Sequence, residues 1–87
     1  MLYYTYMSEN EQVKKNLGLS EEFMSYIIAN KIKMQSNRSY VFFSPYDKKL
    51  NKLNERLIDG LIKDGKKVVR VEKTKNSANP WKFMSVQ

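Results

Sequence analysis

SYVFFSPYDKKLNKLNERLIDGLIKDGKKVVRVE, residues 39–72, is the stretch that decides the fold. Tyr40, Val41, Phe42 and Phe43 are apolar on both faces. That pattern predicts an interior strand over 39–44, the centre of its sheet. Pro45 stops the strand, and Asp47 is placed to cap a helix. Leu50, Leu53, Leu57, Ile58, Leu61 and Ile62 then recur at helical spacing, with Lys48, Lys49, Lys52, Arg56, Asp59 and Lys63 on the opposite face. The pattern predicts a helix over 47–64, ended by Gly65. Val68, Val69 and Val71 predict a strand over 67–72. Strand, helix and strand joined by short turns form a right-handed βαβ unit with parallel strands.

Downstream, residues 73–80 are polar and basic. Residues 81–86 predict a last strand, antiparallel to the preceding one, giving a C-terminal β-hairpin. Upstream, Leu2 to Met7 reads as a short strand over 2–7 with Leu2, Tyr4 and Tyr6 on one face. Ser8 and Glu11 have the spacing of a capping box for a helix over 9–17, which Gly18 can close. Ser20 offers a second N-cap for a helix over 21–33, with Phe23, Met24, Ile27 and Ile28 as its apolar stripe. The expectation is one small α+β domain spanning 1–87. It has a mixed sheet of three to four strands and two to three helices. A winged-helix-like arrangement is the alternative.

The chain has 87 residues, no histidine and no cysteine. Those absences remove disulfides, cysteine–histidine zinc sites, thiol nucleophiles and any Ser-His-Asp triad. Three glycines, scattered at 18, 60 and 65, make no phosphate-cradling loop. The reading is therefore non-enzymatic, with no metal or cofactor. No leader is read at the start, and no stretch approaches the roughly 20 apolar residues of a membrane span. A cytoplasmic protein is expected. The abundance of Lys, Asn, Tyr and Ile suits an AT-rich genome such as a phage or plasmid.

The net charge is +7, and it is uneven. Residues 1–30 carry −2 and residues 31–87 carry +9. Lys63, Lys66, Lys67, Arg70, Lys73, Lys75 and Lys82 fall within twenty residues of the second half. Clustered cations of this density bind polyanions by releasing counterions. Asn76 and Asn79 at the hairpin tip are candidates to read a groove, and Trp81 is a candidate to stack on a base.

Several segments resemble known families. Glu11 to Ile27, with Gly18 between leucines, resembles a helix-turn-helix, although its second helix begins with Glu21 and Glu22. The strands 67–72 and 81–86 with their basic tip resemble the wing of a winged helix, which would make 47–64 the recognition helix. Asp64 followed by valines and Glu72 resembles the core of restriction-type nucleases, but Thr74 stands where that pattern needs lysine. Leu57 to Gly65 resembles the LAGLIDADG helix of homing endonucleases, which would put Asp64 at a metal position.

The leading expectation is a small nucleic-acid-binding protein, DNA more than RNA, of the phage or plasmid regulator type. The rival is a protein-binding module, such as a phage-encoded inhibitor or an accessory subunit of a host enzyme. Its basic face would meet an acidic protein surface. A homodimer is compatible with either.

Overall fold

The computed structural model describes residues 8–86, and the expected strand over 2–7 lies outside them. The elements run in the order α1 (Glu9–Ala29), β1 (Ser39–Phe43), α2 (Lys48–Lys63), β2 (Val68–Lys73) and β3 (Trp81–Ser85). The described residues form a mixed α+β architecture with two helices and one three-stranded sheet. β1 and β2 pair in parallel, with Ser39 opposite Val68 and Phe43 opposite Glu72. β2 and β3 pair antiparallel, with Val69 opposite Ser85 and Lys73 opposite Trp81. The βαβ unit and the C-terminal hairpin are thus both present.

Two expectations are corrected. Among the described residues the sheet order is β1-β2-β3, so β2 and not 39–44 lies between two strands. The outer edge of 39–44 receives polar side chains of α2. Asn51 of α2 exchanges hydrogen bonds with the backbone of Ser44 at 2.9 and 2.7 Å. Asn54 donates to the Phe42 carbonyl at 2.7 Å. Side-chain amides thereby satisfy backbone groups that a neighbouring strand would otherwise take.

The second correction concerns the N-terminal half. The expected helices 9–17 and 21–33 are one continuous 21-residue helix, so the helix-turn-helix is not formed. Its capping box is present as expected. Ser8 Oγ accepts from the Glu11 amide at 3.1 Å, and Glu11 accepts from the Ser8 amide at 3.3 Å. Ser20, read as a second cap, instead donates back to the Leu17 carbonyl at 2.9 Å. Gly18 costs the helix about 1 kcal/mol relative to alanine. Leu19, Phe23 and Ile27, spaced one turn apart, bury themselves in the core and outweigh that cost. The helix ends at Asn30, and Lys31 turns the chain with φ 53°.

Alternation along the strands sends side chains to two cores. Phe42, Val69, Val71 and Trp81 face α1. Val41, Phe43 and Val68 face Ile58, Leu61 and Ile62 of α2. α2 is capped by Asp47, which accepts from the Leu50 amide at 3.0 Å, and the chain leaves it through Gly65 at φ 78°. Because α2 packs on the sheet between parallel strands, the winged-helix-like alternative is not formed.

Candidate nucleic-acid interface

Parallel strands begin at the same end of a sheet, so the loops that precede β1 and β2 are neighbours. The Ser39 amide donates to the Lys67 carbonyl at 2.8 Å, tying the two loops together. Asn37, Arg38 and Ser39 from one loop and Gly65, Lys66 and Lys67 from the other line an open hollow. Asn37 takes φ 62° and Gly65 φ 78°, so both loops turn sharply here. Lys63 in the last turn of α2 and Lys33 after α1 belong to the same end of the sheet. Arg38, Lys63, Lys66 and Lys67 enter no ion pair among the described residues. Asp64, the C-cap of α2, is the acid closest in sequence. Unpaired cations around a concave surface are a phosphate-binding arrangement, because each can exchange a counterion for a phosphate oxygen.

The basic residues singled out in the sequence do not form one patch. Lys63, Lys66 and Lys67 lie at the amino end of the parallel strands. Lys75, Asn76 and Asn79 lie in the β2–β3 loop, at the opposite end. There Thr74 Oγ1 donates to the Asn79 carbonyl at 2.6 Å, and Asn76 Oδ1 accepts from the Ala78 amide at 2.9 Å. The Asn76 carboxamide oxygen thus shapes the loop. Lys75 sits 5.4 Å from the Tyr46 ring.

Arg70 and Lys82 share the α2-side face of the sheet, and Lys73 and Trp81 share the α1-side face. Arg70 bonds Glu72 at 2.6 Å and Glu55 at 2.8 Å, and its guanidinium stacks 3.8 Å from the Phe43 ring centre. Burial alone would lower the Arg70 pKa, but hydrogen bonds and charge from Glu72 and Glu55 outweigh it and hold the group above its ordinary value. Lys73 pairs with Glu22 of α1. Trp81 is buried, edge-on to Phe23 at 5.3 Å and to Phe42 at 6.5 Å. Arg70, Lys73 and Trp81 are therefore engaged inside the fold.

Arg38 was not among the residues picked from the sequence. The signal existed: a parallel βαβ unit brings the residue before its first strand beside the residues before its second. Among the described residues no group of three acidic side chains is arranged to hold a metal ion, and Asp64 has no carboxylate partners of that kind. No helix of the described residues is long and apolar enough to cross a membrane. Comparison with family models, with curated proteins and with solved structures finds no match to this chain.

Proposed function

We propose that this protein binds nucleic acid through phosphate contacts at the amino end of its parallel strands, without catalysing a reaction. The observation that carries the reading is the hollow of Arg38, Lys66 and Lys67, which form no ion pair with an acidic side chain among the described residues. Lys63 extends the surface along α2, and Lys75 and Lys82 add cations elsewhere on the molecule. Contacts of this kind position a phosphate backbone and read little sequence. A phage or plasmid regulator is the role this reading supports best. The test is affinity for random single-stranded and duplex oligonucleotides over a salt series. The reading expects binding that weakens steeply as salt rises, and absence of binding at low salt overturns it.

A second reading, a protein-binding module, is favoured by one observation. Val13, Leu17 and Leu57 are 62%, 57% and 41% exposed and line one groove beside the outer edge of β1. Exposed apolar side chains gathered in one groove are a feature of protein interfaces. Sedimentation across a concentration range tests whether that face joins two copies of the chain.

A further inference from the structure

A second cavity adjoins the basic end. It opens on the α1 side of the sheet and measures about 160 Å³. The buried Phe23 and Val69, the half-buried Tyr40 and the exposed Phe83, Lys33 and Ser85 line it. The register fixes its distance from the cationic hollow. Tyr40 directly follows Ser39, and Val69 lies two residues, about 7 Å, beyond Lys67. Both rings rest on Phe23: Phe83 meets it edge-on at 5.6 Å and 74°, and Tyr40 lies tilted to it at 6.3 Å and 38°. The Tyr40 hydroxyl is fixed by the backbone of Gln35, accepting from its amide at 2.9 Å and donating to its carbonyl at 3.2 Å. Phe83 nevertheless stays 42% exposed, and Met84 beside it 45%. An apolar, aromatic slot is thus left open beside unpaired cations.

Resting on the nucleic-acid reading above, we propose that this cavity takes an unstacked pyrimidine base of a single strand whose phosphates lie along Lys33, Arg38, Lys66 and Lys67. Size selects the ring. An apolar cavity of about 150 Å³ holds one benzene molecule, so this one fits a six-membered ring and crowds a fused purine. An aromatic lining rewards any base with a π face, and an exposed lysine in that lining supplies charge where the strand continues. Bases of a duplex are stacked and paired, and only an unstacked base can present its ring to such a cavity. The single strand is therefore the preferred form.

The test compares a short oligothymidylate, the same strand with abasic sites, an oligodeoxyadenylate and a duplex of equal length. Wild type is expected to bind oligothymidylate at least about tenfold more tightly than the abasic strand, and more tightly than the oligodeoxyadenylate or the duplex. Phe83→Ala, which removes a lining ring, and Ser85→Ile, which adds bulk to the lining, should each abolish the difference between oligothymidylate and abasic strand while leaving the salt dependence intact. Near-ultraviolet circular dichroism of the buried Trp81 verifies that both variants fold. Equal, salt-dependent affinity of wild type for oligothymidylate and abasic strand overturns the base pocket and leaves the phosphate surface standing. No binding of any strand at low salt overturns both.

Discussion

The buried side-chain amide of Asn54 donates to the carbonyl of Phe42 at 2.7 Å, joining α2 to the outer edge of β1. The same amide donates to Asn16 Oδ1 at 2.8 Å, and its oxygen accepts from Gln12 at 3.0 Å and Asn16 at 3.2 Å. All the hydrogen-bonding capacity of one fully buried carboxamide is used, and both helices and the sheet meet at it.

Asn54→Ala should cost about 2–4 kcal/mol, because it opens a cavity and strands the Phe42 carbonyl and the Asn16 amide. Urea unfolding measures the loss. Asn54→Leu should be no better, since it refills the volume but leaves the same polar groups without partners. Wild-type stability in either variant would show that the junction contributes nothing.

Gly18 and Gly65 should respond to alanine in opposite directions. Gly18 lies within α1 with nothing near its added Cβ, so Gly18→Ala should stabilise by about 0.5–1 kcal/mol. Gly65 holds φ 78°, so Gly65→Ala should destabilise by about 1 kcal/mol. Thermal denaturation of the two variants separates a continuous α1 from two helices broken at a left-handed Gly18, where alanine would destabilise both sites.

The α1–α2 contact also depends on pH. Burial pushes the Asp47 carboxyl up, but hydrogen bonds from Lys15 at 2.6 Å and from the Leu50 amide, with the charges of Lys15 and Lys49, hold it below its ordinary 3.8. A carboxyl depressed by folding stabilises fully above its unfolded pKa and loses that stabilisation as pH falls through the folded value. Asp47→Asn keeps a capping oxygen and removes the charge. It should be less stable than wild type at neutral pH, and the difference should shrink as pH falls below the ordinary carboxyl value. A pH-independent gap would remove the charge from the explanation.

The βαβ unit was legible because its signals agree. Apolar strands, a capped amphipathic helix and a terminating glycine all point one way within 39–72. The N-terminal half was not, because Gly18-Leu19-Ser20 carries the local signature of one helix ending and another beginning. Burial of Leu19, Phe23 and Ile27 against the sheet overrode it. The centre of the sheet was misread for a related reason. Phe42 and its neighbours have the composition of an interior strand, but among the described residues β1 pairs with β2 alone, and Asn51 and Asn54 of α2 bond backbone groups on its other edge. The cation cluster looked continuous because residues 63–82 are close in sequence. A six-residue strand carries the chain from one end of the sheet to the other, and ion pairs absorb Arg70 and Lys73 on opposite faces.

The central claim is that phosphate meets the amino end of β1 and β2. Its most direct test is the slope of log affinity against log salt for oligothymidylate, comparing Lys66→Glu/Lys67→Glu with Lys75→Glu/Lys82→Glu. Each lost phosphate contact on a single strand reduces the slope by about 0.7. The Lys66/Lys67 pair should therefore flatten it by about 1.4, and the Lys75/Lys82 pair should change it far less. An unchanged slope in the first pair with a flattened one in the second would contradict the account and move the interface to the hairpin.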